Sequence, residues 1–159
     1  MHMNKEQVMA FLPHRDPFLF IDSVKEVTLP EGLSGEAPFA PQQLVGGKTV
    51  CTFRVDDKVK ILEGHFPGNP ILPGVVQVEM MAQAGSFLAQ YALPKGATLD
   101  VALLSVDSAR FRKPVIPPMD LEITTTLTKV RGPIWVFECQ IHSKGDLISQ
   151  TTCMASIKS

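Results

Sequence analysis

The 159-residue sequence has few cysteines, few aromatic residues and little net charge. Its three cysteines show no CxxC or zinc-type spacing, so a redox motif or a cysteine-ligated zinc site is not expected. The formal net charge of −1 argues against bulk nucleic-acid binding. Cys139 and Cys153 lie in strand-like segments, and we expect them to be small buried residues in a reducing, cytoplasmic setting.

The chain also lacks an uninterrupted apolar run. Its most apolar stretch, residues 75–93, is broken by five polar side chains. A membrane span needs about 20 mostly apolar residues, so this stretch is expected to be a core helix. The first six residues lead into no apolar segment of the signal-peptide kind. We therefore expect one soluble domain over residues 1–159.

The distribution of apolar residues predicts an α+β fold. Helices are expected over residues 4–12 and 74–93, and the Pro- and Gly-rich residues 30–43 are expected to form a loop. Period-two alternation and turn residues predict strands over 18–29, 48–55, 101–109, 119–130, 134–143 and 147–158. Because residues 74–93 form the only long helix available, the strands should make an antiparallel sheet packed on one central helix.

Polar residues on that helix fall into a stripe. Glu79, Gln83, Ser86 and Gln90 are spaced by four, three and four positions, which places them on one face. Two interpretations stay open: a solvated edge, or a contact between helices across an oligomer interface.

A loop with alternating glycine and proline, residues 63–74, precedes this helix and contains His65. Proline fixes φ and glycine permits close backbone approach, so the loop should hold His65 in one position. A neutral imidazole is a natural base near physiological pH. At the helix start, the Gly74 N–H should lack an intrahelical acceptor and could donate to a carbonyl oxygen.

Glu79 completes a candidate acid–base set. Its sequence neighbours are apolar, so we expect burial to favour its protonated form and to suit it as a general acid. A base, an acid and an oxyanion donor are the parts needed to remove a proton beside a carbonyl and expel a β-hydroxyl. Taken singly, His65 has the alternative of a structural histidine, and Glu79 that of a favourable partner of the helix dipole.

Other motifs give weaker signals. His14, His65 and His142 are far apart in sequence, so a metal site is not expected. Arg110, Arg112 and Lys113, with Lys129 and Arg131, form either a basic rim or a solvated strand end.

The sequence resembles the FabZ-type 3-hydroxyacyl-[acyl-carrier-protein] dehydratases of the hot-dog fold. The segments similar to that family's motifs are residues 12–15 and 17–22 at the N-terminus, 64–68 and 73–76 in the active-site loop, 79–85 in the helix, and 107–115 in the next strand and turn. The resemblance implies a sheet wrapped round the helix and two protomers that pair their sheets. The sequence departs from the family's pattern in two places. The connection over residues 30–43 is longer than usual, and Val101-Ala102 stand where an aromatic pair is common.

The resemblance also implies a reaction. His65 would take the C2 proton of a (3R)-3-hydroxyacyl thioester, and Glu79 of the partner protomer would help the C3 hydroxyl leave as water. The Gly74 N–H would hold the thioester carbonyl, with Phe66 and Val75 beside the substrate. The product would be a trans-2-enoyl thioester, made in fatty acid biosynthesis or a related lipid or polyketide pathway.

The partner implied is an acidic acyl carrier protein that delivers the substrate on its phosphopantetheine arm. Arg110, Arg112 and Lys113 would be the docking charges. No metal or organic cofactor is implied, and the assembly would be a homodimer or a higher homo-oligomer. Two alternatives remain, a hot-dog acyl thioesterase and a catalytically silent module that binds acyl groups or carrier proteins.

Overall fold

A six-stranded antiparallel sheet wraps round one long helix in the computed structural model, which describes residues 2–158. The strands are β1 (Ser23–Thr28), β2 (Lys48–Val55), β3 (Asp100–Phe111), β4 (Met119–Arg131), β5 (Ile134–Ser143) and β6 (Asp146–Lys158). Their order in the sheet is β1-β2-β4-β5-β6-β3. The helices are α1 (Lys5–Phe11) and α2 (Gly74–Ser86), with short 3-10 helices at Pro41–Leu44, Lys60–Gly64 and Phe87–Tyr91. The predicted hot-dog arrangement is confirmed.

The core lies between α2 and the sheet. Met80, Met81 and Ala84 are fully buried on this helix. A Cβ added at Gly85 would lie 3.2 Å from the Phe137 ring, so the absence of a side chain lets the helix pack closely on β5. The buried Thr49 hydroxyl donates to the Ala84 carbonyl oxygen at 2.9 Å and ties β2 to the same turn of the helix.

Two predicted elements are shorter than expected. The strand predicted over residues 18–29 begins only at Ser23, because the Gln83 side chain bonds the Phe18 carbonyl and the Phe20 N–H. The predicted 74–93 helix is α-helical only to Ser86 and continues as a 3-10 helix. The Ser86 hydroxyl bonds the Ala82 carbonyl at 3.0 Å and so competes with the helical ladder at that point.

The loop prediction for residues 30–43 holds as far as Ala40, and a single 3-10 turn begins at Pro41. The loop is attached to the end of the central helix, since the Phe39 N–H donates to the Tyr91 carbonyl oxygen at 2.7 Å.

The polar stripe on α2 is not a solvated edge. Gln83 and Ser86 are each only 1% exposed, so that interpretation was wrong for both. Glu79 and Gln90 are half-buried. Contact of this face with a second protomer stays a prediction.

The sheet has an apolar edge at β3. One side of this strand pairs with β6, and within residues 2–158 no strand pairs with its other side. Leu103, Leu104 and Val106 are 41%, 50% and 41% exposed along it.

All three cysteines are free and buried, which confirms the expectation for Cys139 and Cys153. No helix in the described part of the chain is long and apolar enough to cross a membrane.

Candidate active site

His65 is held by a closed turn. Phe66 and Asn69 exchange two backbone hydrogen bonds of 2.9 and 2.8 Å, and the Ile71 N–H donates to the His65 carbonyl oxygen at 2.8 Å. The His65 imidazole also bonds Ile71, with its Nδ1 2.7 Å from the Ile71 carbonyl oxygen. A carbonyl oxygen can only accept, so the hydrogen lies on Nδ1 and the neutral ring keeps a lone pair on Nε2. The loop therefore presents His65 as a base.

Phe66 lies against this imidazole. The two rings are stacked with centroids 4.0 Å apart, and Phe66 is 49% exposed. The peptide bond between the two residues is cis. One face of the His65 ring is thus covered by an aromatic ring that also reaches the surface.

Gly74 opens α2 as predicted, directly after Pro73. The Pro73 carbonyl accepts from the N–H groups of Val76 and Gln77, and within residues 2–158 no side chain caps this helix end. The first N–H groups of a helix have no intrahelical acceptor, so that of Gly74 is available to a ligand at the positive end of the helix dipole. A Cβ on Gly74 would lie 2.9 Å from the Phe111 ring, and Val75 is 77% exposed beside it.

Glu79 differs from the prediction. Its Oε1 lies 3.2 Å from Nε2 of His14 and 3.0 Å from Nε2 of Gln83. The hydrogen bond from His14 lowers the pKa of Glu79 below its ordinary value, and the Gln83 bond adds to this, although burial opposes both by raising the pKa. The expectation that burial keeps this carboxyl protonated was therefore wrong.

The His14 contact was missed from the sequence. His14 comes from the segment between α1 and β1, and no local pattern connects it to α2. The Gln83 contact did have a signal, because residues i and i+4 of a helix are neighbours on one face.

A cavity of about 110 Å³ lies beside Glu79. Its lining consists of His14, Glu79, Ala82, Gln83, Ser86, Val101, Leu103 and Ala155. His65 is not part of this lining, and among residues 2–158 of one protomer Glu79 has an ion-pair contact with His14 and none with His65. A larger cavity of about 650 Å³ has a different lining, which includes Lys25, Arg54, Glu122 and His142.

The predicted docking residues follow one another at the end of β3 and are exposed. Lys113 pairs with Asp146 at 2.9 Å, and Arg112 bonds the Gln150 amide oxygen at 3.3 Å. The Arg110 and Arg112 charges have no carboxylate partner within the part of the chain that the structure describes. That part also contains no cluster of three or more His, Cys, Asp or Glu side chains suited to a metal ion.

Comparison with known proteins places the chain in a family. The family described as ApeI dehydratase, of the ApeI-like type, matches residues 42–152. The 3-hydroxyacyl-[acyl-carrier-protein] dehydratase FabZ of Magnetococcus marinus is 36% identical over 94% of this chain and 88% of its own length. The chain belongs to this dehydratase family.

Two solved structures agree with the fold. The dehydratase heterocomplex ApeI:P from Xenorhabdus doucetiae superposes with a TM-score of 0.70 at 20% identity, over 96% of this chain and 91% of that one. A mutant of the thioesterase PA1618 from Pseudomonas aeruginosa superposes with a TM-score of 0.62 at 13% identity, over 97% and 93%. The hot-dog fold is therefore shared by dehydratases and thioesterases, and the side chains must separate the two activities.

Proposed function

We propose that this chain dehydrates (3R)-3-hydroxyacyl-[acyl-carrier-protein] to trans-2-enoyl-[acyl-carrier-protein], as a step of fatty acid or related lipid biosynthesis. The observation that carries the proposal is the locked His65 ring, whose Nδ1–H bonds the Ile71 carbonyl and leaves Nε2 as a base. The relatives in the dehydratase family support it.

The mechanism uses three groups. Nε2 of His65 takes the proton from C2, and the C–H electrons move toward the thioester carbonyl, whose oxygen accepts the Gly74 N–H. As the C2=C3 double bond forms, the C3–O bond breaks. The protonated form of Glu79, which the added burial under a bound acyl chain would favour, supplies the proton that turns the leaving hydroxyl into water. Exchange with solvent then returns the proton from His65 and restores that of Glu79. Phe66 and Val75, both exposed at this end of α2, would border the acyl thioester.

We place the two catalytic side chains on different protomers. Leu103, Leu104 and Val106 expose apolar surface along the free edge of β3, and edge strands of this length normally pair or are covered. A second copy that pairs there would extend the sheet. It would also cover the cavity beside Glu79, whose wall includes Val101 and Leu103. His65 of the second copy would then meet Glu79 of the first.

The carrier protein would dock at the end of β3. Arg110 and Arg112 keep charges without carboxylate partners there, and an acidic carrier would be attracted to them. We place the enzyme in the cytoplasm, where the three buried free thiols would stay reduced.

Direct assay of both products tests the reaction. The protein is given a 3-hydroxyacyl thioester while enoyl absorbance and free thiol are recorded together. We expect enoyl product in the parent, with turnover reduced roughly 10²–10⁴-fold in His65→Ala and in Glu79→Gln. His142→Ala is the matched control, because that histidine lines the other, larger cavity. Thiol release without enoyl would indicate a thioesterase, and binding without either product a silent module.

Mixing inactive variants tests the shared site. A dimer of one His65→Ala chain and one Glu79→Gln chain has one doubly damaged site and one intact site. Random re-association should therefore restore about a quarter of the parent activity. No recovery in a mixture shown to contain mixed dimers would place both side chains on one protomer.

A further inference from the structure

Both hydrogen bonds to Glu79 fall on the same oxygen. Gln83 donates an N–H to Oε1 at 3.0 Å, and Nε2 of His14, whose hydrogen bond lowers the pKa of Glu79, lies 3.2 Å from the same oxygen. Among the described residues, the structure gives Oε2 no such partner. An oxygen that accepts two N–H groups cannot also carry the carboxyl hydrogen, because its lone pairs are occupied.

We propose that His14 and Gln83 are a positioning pair that fixes Oε1 of Glu79 and leaves Oε2 to deliver the proton to the departing C3 hydroxyl. The proposal rests on the dehydration proposed above and assigns the oxygen that performs it.

Gln83 is well placed to hold the carboxyl because its own amide is fixed. The amide oxygen accepts the Phe20 N–H at 2.9 Å, and the amide nitrogen donates to the Phe18 carbonyl at 2.9 Å. One partner is a donor and the other an acceptor, so the amide has a single satisfactory orientation. Since Gln83 is only 1% exposed, solvent offers no alternative. The amide therefore stands ready as a donor whether or not substrate is bound.

His14 contacts the carboxylate through one ring nitrogen. Its Nε2 faces Oε1, and a carboxylate oxygen only accepts, so a hydrogen lies on Nε2. Its Nδ1 is buried with no hydrogen-bond partner within residues 2–158. The ring therefore has one polar contact, the one to Glu79, and that contact orients the carboxyl.

The other walls of the cavity beside Glu79 offer few polar groups that could compete with His14 and Gln83 for hydrogen bonds to the carboxyl. The β3 wall of the cavity is apolar, with Val101 and Leu103. On β6, a hydrogen bond with Cys139 lowers the pKa of the Cys153 thiol, and burial and the nearby Glu79 charge oppose that lowering. The carboxyl orientation therefore depends on His14 and Gln83.

Two substitutions of His14 separate orientation from bulk. His14→Phe keeps a planar ring and removes the donor, whereas His14→Gln keeps a neutral N–H donor of similar reach. We expect kcat to fall about 10–100-fold in His14→Phe with KM within about threefold, and to stay within about fivefold of the parent in His14→Gln. His142→Ala should match the parent.

The direction of the kcat change is itself diagnostic. Loss of the His14 bond alone would raise the pKa of Glu79 and so increase its protonated fraction at neutral pH. If His14 only tuned acidity, His14→Phe would be faster than the parent. A faster variant, or one that matches the parent, would overturn the positioning role. Equal losses in the Phe and Gln variants would also overturn it, because they would indicate bulk alone.

A second readout does not depend on activity. In protein with carbon-13 in its glutamate carboxyl groups, the Glu79 signal is the one missing from Glu79→Gln, and its pH titration can be followed by NMR. We expect it to titrate at higher pH in His14→Phe than in the parent, with His14→Gln between them. An unchanged titration would refute the His14 contact even if dehydration were confirmed. A parent without enoyl product would refute the function and leave this result standing.

Discussion

Adding one methyl group at Gly74 should slow the reaction by displacing the start of α2. A Cβ at this position would lie 2.9, 3.0 and 3.2 Å from the Cζ, Cε1 and Cε2 atoms of Phe111. Carbon atoms pack best about 3.5–4.0 Å apart, so the overlap is about 0.5 Å or more. Either the ring or the helix start must move in Gly74→Ala.

The size of the effect follows from these distances. Overpacking of this kind costs about 1–3 kcal/mol, and replacing glycine in a helix returns up to about 1 kcal/mol. We therefore expect a net loss of about 0–3 kcal/mol in the free energy of unfolding. Turnover is more sensitive, because a 1 Å misplacement can cost about 10²-fold. A shift of half that size at the Gly74 N–H should reduce turnover by about tenfold.

The assay is enoyl formation by Gly74→Ala alone and combined with Phe111→Ala, with thermal unfolding measured in parallel. Removing the ring should restore much of the turnover. Gly64→Ala is the matched control, because a Cβ there has nothing within 4 Å. Turnover of Gly74→Ala within twofold of the parent would refute the reasoning. So would a double variant as slow as the single one, since the loss would then have another cause.

Three further predictions concern stability, assembly and docking. The pKa of Glu79 is lower in the folded protein than its unfolded value near 4.5, so the ionised carboxylate stabilises the fold above that pH. This contribution is lost as pH falls through the folded pKa. In urea unfolding, the stability advantage of the parent over Glu79→Gln should therefore shrink below about pH 4.5. Val106→Lys should give monomers in sedimentation analysis and abolish turnover. Thr28→Lys, on the opposite edge strand, should do neither. An active Val106→Lys monomer would contradict the shared site. Combined Arg110→Glu and Arg112→Glu should raise KM about tenfold or more for carrier-bound substrate at low salt and leave a short pantetheine thioester unaffected; equal effects on both substrates would argue against docking there.

The sequence predicts well what depends on local pattern. The alternation over residues 48–55 is found as β2 with those bounds, and Gly74 opens the central helix as expected. The glycine–proline alternation around His65 indicated a fixed loop, and the hydrogen bonds to Ile71 show what fixes it.

The errors come from contacts between distant parts of the chain. The protonation of Glu79 was inferred from its apolar sequence neighbours, but adjacent helical residues point in different directions and do not surround one another. Its actual partner, His14, is 65 positions earlier in the chain. The strand predicted over residues 18–29 begins only at Ser23 for a related reason, because the distant Gln83 bonds the backbone groups of Phe18 and Phe20.

The turn at residues 66–69 is solvent-exposed, and such tips usually accept substitutions and insertions without harm. This one is different, because the chain on either side of it supplies both members of the bond between the His65 ring and the Ile71 carbonyl. Lengthening the turn by a residue would pull those members apart and free the imidazole to rotate or to adopt its other tautomer. Engineers seeking a harmless place for a tag or a fluorophore should therefore avoid this tip.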